Sequence, residues 1–405
     1  MSRIDELIQQ LCPDGVETTK LSSICEIYDG THQTPKYTEH GVRFVSVENI
    51  GDLYRSQKFI SIEDFDKNYK VKPRKNDVFM TRIGTIGSCA VINSDEPLAY
   101  YVTLTLIRPN LNKILSKFLK YSLEGVNGQR ELWKHTLINA TPIKINLGDI
   151  GKVSLHLPPL PVQEEIVRIL DKFTALEAEL EAELEARRKQ YEYYCRKIID
   201  TSKNAVLTRI QDLGKWRGGC TPSMFQKKYW EGGVIPWISS KDMKNPILTD
   251  TQNHITQSAL EETSIQLLPP GTVAIVARSG ILKHTLPIAY VPFAATVNQD
   301  IKALIAKSTI VSRYAMMTLL AYRTEILNKT KKAGGTVDSL DISKFMRFQV
   351  PVPPQPEQER IVAILDKFDA LVNDISSGLP AELEMRRKQY EYYRDRLLTF
   401  PKKKA

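Results

Sequence analysis

The sequence predicts an α+β fold: two globular α/β-type heads separated by a long antiparallel two-helix coiled coil, with a pseudo-twofold internal repeat. Three observations predict it. The octapeptide RRKQYEYY occurs at 187–194 and again at 386–393. Each copy ends a longer match, in which 157–176 (LPPLPVQEEIVRILDKFTAL) returns as 352–371 (VPPQPEQERIVAILDKFDAL). Apolar residues recur at helical spacing in both copies, and the segment before each copy is long enough to bury its own core.

The two heads repeat in outline only. Three short motifs recur in the same order, namely Thr34-Pro35 and Thr221-Pro222, Gly41–Ser46 and Gly233–Ile238, and Arg82-Ile83-Gly84 and Arg278-Ser279-Gly280. The apolar runs at 78–80 and 273–276, just before the two arginines, predict buried strands. A shared frame with different side chains is typical of paralogous domains that read two different targets. The alternative is duplication followed by neutral drift of the heads.

The repeated segments are predicted to be helices. The prolines at 158–161 cannot lie inside a helix, and the apolar residues after them have the spacing of a coiled-coil seam. The second copy carries four extra residues, an insertion that keeps the phase of the seam. Gly378 and Pro380 lie within it and predict a kink or short break in the second helix and none in the first. The predicted seams are Ile166, Leu170, Phe173, Leu176, Leu180, Leu184, Arg187, Tyr191, Tyr194 and Ile198, and Ile361, Leu365, Phe368, Leu371, Ile375, Leu379, Leu383, Arg386, Tyr390, Tyr393 and Leu397.

Chain direction then predicts the architecture. The first helix must carry the chain from the first head to the second, and the second helix, packed along the same seam, must run back. The helices are then antiparallel, and the C-terminus lies beside the first head. Val162–Ile199 amounts to about 57 Å of helix at roughly 1.5 Å per residue, or about one and a half turns of B-DNA.

The composition favours some partners and compartments over others. Lys and Arg total 56 against 47 for Asp and Glu, and the net charge of +9 favours a polyanionic partner such as double-stranded DNA without requiring one. The five cysteines are scattered and include no Cys-x-x-Cys pair, which argues for a reducing compartment and against a structural zinc. No run of about 18 apolar residues occurs. We therefore expect a cytoplasmic protein that makes no membrane contact.

At this point the chain resembles a known family. The segments PLPVQEEIVRILDKF and PPQPEQERIVAILDKF, the RRKQYEYY repeats, the CPDGVE segment at 12–17 and the alternation of variable and near-constant regions are similar to specificity (S) subunits of type I restriction-modification enzymes. The resemblance implies that each head is a target recognition domain for half of a bipartite, asymmetric DNA site. It also implies that the helices separate the two halves and dock two methyltransferase (M) subunits, and that motor-nuclease (R) subunits complete the restriction complex.

The repeats and the resemblance together predict five segments. These are target recognition domain 1 over 1–157, conserved spacer helix 1 over 158–200, target recognition domain 2 over 201–352, conserved spacer helix 2 over 353–400 and a basic tail over 401–405.

The sequence lacks the motifs of catalysis. It contains neither the Asn/Asp-Pro-Pro-aromatic loop of an adenine methyltransferase with its glycine turn nor a Gly-x-x-x-x-Gly-Lys-Ser/Thr phosphate loop. The six histidines have no metal-ligand spacing. We therefore predict a non-catalytic DNA-binding subunit with no catalytic residues, no cofactor and no metal site. The alternatives are a two-headed adaptor that binds proteins and a free-standing nuclease, which the missing motifs disfavour.

Candidate DNA contacts lie in loops that carry hydroxyl, amide and basic donors, the groups that bind phosphates and base edges. The alternatives are ordinary turns for the two Thr-Pro loops, sheet capping for the residues after the strands, internal salt bridges for the two arginines, and a solvated face for the basic run at 67–75 with its Tyr69. Lys331, Lys332, Gly334 and Gly335 resemble a mobile basic loop. The predicted contacts are Thr31, His32, Gln33, Thr34, Lys36, Ser46, Asn49, Lys70, Lys72, Arg74, Arg82, Arg217, Thr221, Ser223, Ser239, Lys241, Arg278, Lys331 and Lys332.

The octapeptides are predicted to serve helix packing and partner docking rather than DNA contact. Upstream of the first copy, 176–186 reads LEAELEAELEA, a four-residue unit that either is simply a solvated helix or sets the gap between the half-sites. The predicted partner-binding residues are Arg187, Arg188, Tyr191, Tyr194, Arg386, Arg387, Tyr390 and Tyr393.

Overall fold

The computed structural model describes residues 3–332, 337–373 and 378–401, without the side chains of 369–373 and 378. The chain divides into two compact units. The first comprises Met1–Leu180 with Leu383–Ala405, and the second comprises Glu181–Glu382. The C-terminal segment therefore belongs to the same unit as the first head, as chain direction predicted.

The first head begins with a short helix and ends where the long helix starts. Its helices are α1 (Arg3–Leu11), α2 (Ile62–Asn68), α3 (Ser116–Glu124), α4 (Val126–Lys134) and α5 (Leu147–Ile150), followed by α6 (Leu160–Asp200). Its strands are β1 (Thr18–Lys20), β2 (Cys25–Asp29), β3 (Val42–Val45), β4 (Phe59–Ile60), β5 (Val78–Thr81), β6 (Cys89–Val91), β7 (Leu98–Tyr100), β8 (Leu104–Pro109), β9 (Thr136–Leu137), β10 (Lys144–Ile145) and β11 (Ser154–His156).

The second head follows α6. Its helices are α7 (Gln257–Glu262), α8 (Ser312–Ala321), α9 (Arg323–Thr330) and α10 (Ile342–Arg347), and the chain continues with α11 (Gln355–Asn373) and α12 (Gly378–Leu397). Its strands are β12 (Val206–Arg209), β13 (Gly214–Gly218), β14 (Ile235–Ile238), β15 (Asn253–Ile255), β16 (Thr272–Val276), β17 (Ile288–Val291), β18 (Thr296–Val297), β19 (Ile301–Ala306), β20 (Lys331–Lys332), β21 (Ser339–Leu340) and β22 (Gln349–Val352).

The two heads share one sheet topology. A four-stranded antiparallel sheet has the order β2-β8-β5-β6 in the first head and β13-β19-β16-β17 in the second. A three-stranded sheet has the order β4-β3-β7 or β15-β14-β18, and in each the last pair is parallel. Two-stranded pairs, β1 with β11 and β12 with β22, join the start of each head to its end. The internal repeat predicted from the sequence therefore extends to strand order and direction.

The two predicted strands are central and buried. Every residue of β5 and of β16 is buried. Because side chains alternate along a strand, Val78 and Met80 join a core with Phe118 of α3, whereas Phe79 points to a second core with Tyr100. A strand that is covered on both faces has an uninterrupted run of apolar residues. This run is why the two strands could be predicted from the sequence.

In the first unit α6 and α12 run antiparallel. The ring of Phe173 stacks on that of Tyr393 with centroids 5.5 Å apart, and Glu177, one turn later, pairs with Arg387 at 2.6 Å. Residue numbers therefore rise along α6 as they fall along α12. The fold class predicted from the sequence, with its paired helices, is confirmed.

The second unit joins the other ends of the spacer helices to one core. Cys195 and Ile199 of α6 and Ile361 and Leu365 of α11 belong to the same buried cluster as the sheet of the second head.

The first spacer helix is unbroken over its 41 residues, as predicted. The second is described as α11, which ends at Asn373, and α12, which begins at Gly378. The predicted break at Gly378 to Pro380 adjoins 374–377, which lie outside the described residues. Pro380 lies in the first turn of α12, where a proline removes no intrahelical hydrogen bond.

The predicted seam is wrong at four of the positions whose side chains the structure describes. Arg187 is exposed, as are Phe368 at 45%, Tyr194 at 42% and Leu176 at 36%. The side chain of Leu371 and the whole of Ile375 lie outside the described residues. Fully buried seam residues such as Ile166 and Leu170 belong to the core of a head. The seam prediction assumed that only the partner helix covers each helix, whereas side chains of the heads also pack on them.

Candidate nucleic-acid interface

The two Thr-Pro loops are residues 29–37 of the first head, here the Asp29 loop, and residues 217–223 of the second. They follow the equivalent strands β2 and β13 and pass the same edge of the three-stranded sheet. A Cβ atom on Gly30, just after β2, would lie 2.6 Å from the carbonyl oxygen of Tyr101, at the end of β7. A Cβ atom on Gly219, just after β13, would lie 1.7 Å from the carbonyl oxygen of Val297 in β18. Such close approaches admit only glycine. In both heads a glycine therefore allows the loop to lie directly against the end of the three-stranded sheet.

The loop of the first head has a fixed backbone and exposed polar side chains. The amide of Thr31 donates to the carbonyl of Tyr100 at 3.1 Å, and the hydroxyl of Tyr100 donates to the carbonyl of Asp29 at 2.9 Å. Burial, reinforced by the charge of Asp29, raises the pKa of Tyr100, so this hydroxyl remains a donor. His32 lies 2.9 Å from the Asp29 carboxylate. The exposed residues of the loop are His32, Gln33, Thr34 and Lys36.

Arg82 is turned inward, and its prediction as a DNA contact is wrong. Its side chain is 7% exposed, and its guanidinium donates to the Asp29 carboxylate at 2.9 and 3.0 Å. It also donates to the carbonyls of Val102 and Ile145 at 3.0 and 3.2 Å. Arg82 therefore forms an internal salt bridge, the alternative considered for it, and fixes the base of the Asp29 loop.

Replacing Arg82 by Gln is expected to lower the free energy of unfolding of the first head by about 3 kcal/mol, because it leaves the Asp29 carboxylate and two carbonyls without their donor. The matched variant Arg278→Gln removes an exposed guanidinium, and its effect should stay within about 0.5 kcal/mol. Urea unfolding, followed for both variants and the parent, measures the difference. Equal losses for the two variants would show that the Arg82 pair does not hold the head together.

The arginine of the matching sequence motif in the second head faces solvent, because it lies one register position further along the chain. Ala277 occupies the position of Arg82, and Arg278 that of Ile83. Gly218 occupies the strand register of Asp29, so the second head has no carboxylate there. The side chain of Arg278 is 59% exposed, and its Nε donates to Asp300 at 2.7 Å. This side chain lines a groove of about 600 Å³, whose other lining residues are Ser240, Ser279, Gly280, Asp300 and Val337. Arg278 therefore remains a candidate DNA contact.

The loop of the second head exposes Arg217 and Ser223, while the hydroxyl of Thr221 donates to Gln299. Arg217 makes no ion pair within the part of the chain that the structure describes.

The polar residues after β3 and β14 cap short turns. Asn49 Oδ1 accepts the amide of Ser46 at 3.1 Å, across a single 3-10 turn, Val47–Asn49. In the second head the Asp242 carboxylate accepts both the amide and the hydroxyl of Ser239 at 2.8 Å. Capping, the alternative, therefore explains these polar atoms, whereas the side chain of Lys241 is exposed and makes no ion pair with any described residue.

The basic run of the first head lies away from the Asp29 loop. Lys70, Lys72 and Arg74 precede β5, next to the end of the four-stranded sheet where Val78 pairs with Ile107. Asp29 pairs with Thr105, at the opposite end. Lys72 forms an ion pair with Asp66, and Lys70 and Arg74 are exposed. Tyr69 is 5% exposed within the core and is not available to stack on a base. The structure therefore separates this run from the other candidates.

Lys331 and Lys332 form β20, and each faces an aspartate, Asp338 at 3.0 Å and Asp341 at 3.7 Å. At these two lysines the predicted mobile loop is wrong, because strand pairing and ion pairs fix them. Gly334 and Gly335 lie outside the described residues.

Two lysines that the sequence analysis missed lie near the loops. Lys302 in the central strand β19 has its Nζ 3.3 Å from where a Cβ on Gly218 would lie. Lys144 in β10 bridges to Ile83, beside Arg82. A lysine inside the apolar run IKALIA was a signal for the first. For the second, the apolar-polar-apolar run Ile145-Asn146-Leu147 matches Leu340-Asp341-Ile342 and marks β10 as the counterpart of β21.

The octapeptides combine packed and exposed residues. Tyr390 and Tyr393 pack on Phe173, and burial raises the pKa of Tyr390 to about 12. Tyr191 packs against the core of the second unit. Arg187 pairs with Glu183 at 3.4 Å, Arg387 pairs with Glu177, and Arg386 donates to Gln389. The exposed arginines and tyrosines are Arg187, Arg188, Tyr193, Tyr194, Arg387 and Tyr392.

No group of three His, Cys, Asp or Glu side chains in the described ranges is placed to hold a metal ion. All five cysteines are free thiols. Within the same ranges, no helix has the length and apolar character needed to cross a membrane.

Two heads with one frame, different exposed polar loops and a helical connection define a two-headed nucleic-acid reader. Comparison with known proteins identifies the family. The chain belongs to the family of the type I restriction modification DNA specificity domain, whose model matches residues 13–186 and again 203–385. The resemblance seen in the sequence, to a non-catalytic specificity subunit, is confirmed.

Individual relatives agree with this assignment. The specificity subunit of the type I restriction enzyme EcoR124I/EcoR124II of Escherichia coli is 48% identical over 244 residues, which cover 60% of this chain and 60% of that protein. A putative type I specificity subunit of Mycoplasma pneumoniae is 26% identical over 393 residues, 94% of this chain and 97% of the relative. A chain solved in work on assembly and conformational transition of the type I R-M system shares the fold, with a TM-score of 0.61, 17% identity and coverage of 95% and 98%.

Proposed function

We propose that this chain reads a bipartite, asymmetric DNA sequence, one half with each head, and directs methylation and restriction by partner subunits to it. One observation carries the proposal. The two heads keep the same strand order, yet their side chains differ at matching register positions, with the ion-paired Arg82 and Asp29 of the first head replaced by Ala277 and Gly218 in the second. A conserved frame with different donors at its loops is what two readers of different base sequences require.

The spacer helices set the distance between the half-sites in this proposal. α6 spans 41 residues, about 60 Å at roughly 1.5 Å per residue. In this proposal the length of the helix decides how many bases lie unread between the half-sites.

The octapeptides dock two M subunits, one at each copy. The motif is identical in both copies, and each copy exposes at least one arginine and one tyrosine of an edge-to-face pair, Tyr193 with Tyr194 in the first and Tyr392 beside the packed Tyr393 in the second. Exposed Tyr and Arg are enriched at the energetic centres of protein interfaces. R subunits join for restriction, and the DNA target together with five free thiols fits work in the cytoplasm.

The test is transfer of tritiated methyl groups to plasmid DNA by this chain, by its co-encoded methyltransferase and by the two together. We expect transfer at a defined sequence from the mixture, and none from this chain alone, because the sequence lacks the donor-site motifs. Transfer by this chain alone would contradict the proposal. Equal, unselective transfer by the methyltransferase with and without this chain would contradict it as well.

The same complex separates a DNA reader from a two-headed protein adaptor. A reader that neutralises phosphates loses affinity steeply as salt rises. An adaptor shows no salt-sensitive affinity for DNA.

A further inference from the structure

Phe225 is the most exposed of the large apolar side chains that the structure describes, at 98%. It lies in the segment that joins β13 to β14 and that continues the Thr-Pro loop. From the glycine after β13 to the start of β14 this segment advances 16 positions (219 to 235), against 12 from Gly30 to the start of β3 in the first head (30 to 42), so the second head carries four extra residues here. Single exposed apolar residues are ordinary on protein surfaces. Phe225 differs because hydrogen bonds fix the backbone that carries it.

The backbone before and around Phe225 is fixed by two tryptophans. The indole N–H of Trp237 donates to the carbonyl of Cys220 at 3.2 Å, and that of Trp230 donates to the carbonyl of Ser223 at 3.2 Å. The two indoles meet edge to face with centroids 5.1 Å apart. The amide of Gln226 donates back to the carbonyl of Ser223 at 3.2 Å and closes a turn over Phe225. The ring is therefore displayed on a braced turn, which reduces the entropy lost on binding.

The surroundings of the ring fit a polyanion better than an apolar protein surface. Protein interfaces gather several apolar residues into one buried patch, whereas Met224 and Phe225 are flanked by the exposed polar residues Ser223 and Gln226. Arg217, in β13 immediately before this segment, is exposed and makes no ion pair in the described ranges. An exposed cation that leads into the segment and a serine hydroxyl two residues before Phe225 match a duplex, which offers phosphates outside and stacked bases inside.

We propose that Phe225 inserts between two adjacent base pairs of the half-site contacted by the second head, unstacks that step and bends the duplex there. Apolar side chains that wedge into a base step kink DNA in this way. The proposal rests on the proposed function, since it requires that the second head contact DNA.

The first head carries no such wedge. Tyr37 holds the position of Met224, two residues after the Thr-Pro motif, and its ring packs on Phe44 with centroids 5.6 Å apart. Lys58 lies over the same ring. The bend is therefore expected in one half-site of the two.

The experiment uses the complex of the full chain with its methyltransferase and a duplex that carries the mapped methylation sequence. Energy transfer between dyes at the duplex ends measures the bend, and 2-aminopurine at successive positions other than the methylated adenines reports unstacking. Phe225→Ala is compared with Phe225→Leu, which retains an apolar wedge, and with Val234→Ala. Val234 is 78% exposed and precedes β14, at the other end of the same segment.

We expect the parent complex to bend the duplex and to unstack one step in the second half-site. Phe225→Ala should lose both signals and about tenfold in affinity, as for one lost base–aromatic contact, with an unchanged dependence of affinity on salt because no charge is removed. Phe225→Leu should keep part of the bend, and Val234→Ala all of it.

Three results would overturn the inference. Binding with the same bend and affinity in Phe225→Ala would do so while leaving the proposed function intact. Reduced co-purification of the methyltransferase with Phe225→Ala, with unchanged DNA bending by the complex that remains, would make Phe225 a protein contact. A parent complex that binds no DNA would overturn the proposed function and the wedge together.

Discussion

Exchange of residues 29–147 for the equivalent region of a relative is expected to change one half of the recognised sequence and leave the other half unaltered. The region contains the Asp29 loop, the strands β3 to β10 and the salt bridge that anchors the loop. It excludes β1 and β11, which pair with each other and close the head against the helices. The new loops should therefore be displayed on the old frame, without disturbing the second head.

Sequencing of methylated bases in a host that carries the chimera measures the outcome. The matched control is the reciprocal exchange of 218–340, which covers the same elements of the second head and leaves β12 and β22 in place. Each chimera should change a different half-site. If one exchange altered both halves, the heads would not read independently.

The sequence predicts the paired helices and the central strands because these elements depend on the local spacing of apolar residues. An identical octapeptide, helical apolar spacing and continuous apolar runs identify the paired helices and the buried strands β5 and β16. Each of these signals lies within a short window, and each reports burial that any side chain of the right kind satisfies. Strand order, by contrast, depends on pairings between distant segments and became visible only in the structure.

The binding residues are harder to predict, because their exposure depends on residues far away in the sequence. Arg82 and Arg278 occupy the same sequence motif, yet Arg278 lies at the register position of Ile83, and Gly218 replaces the Asp29 that pairs with Arg82. Tyr69, although inside a basic run, lies in the core, where it belongs to the same buried cluster as Phe79 and Tyr100. Phe225 reads as an ordinary core residue, and its exposure follows from two indole hydrogen bonds that turn the loop outward.

Adding or deleting one Leu-Glu-Ala-Glu unit within 176–186 is expected to leave both half-sites intact and to change the unread gap between them by about one or two base pairs. One unit is about 6 Å of helix at roughly 1.5 Å per residue, and a base pair occupies roughly 3.4 Å. Four residues turn a helix by about 400°, so the buried face is nearly kept. Leu180 is half-buried and Leu184 is 8% exposed, which places successive units of the repeat on that face. The units consist of strong helix formers, so α6 should remain unbroken.

A three-residue insertion of Leu-Glu-Ala is the matched control, because it adds nearly the same length but turns the rest of the helix by about 300°. That turn moves Leu184 away from the buried face and brings a glutamate towards it. The variant should therefore lose folding or sequence-specific methylation, and it should not acquire a new gap between the half-sites. Mapping methylation motifs for the parent, both four-residue variants and the three-residue variant distinguishes length from phase. If the four-residue variants fold, methylate and keep the parental gap, the spacer helices do not measure the distance between half-sites, and the separation must be set by the DNA or by the M subunits.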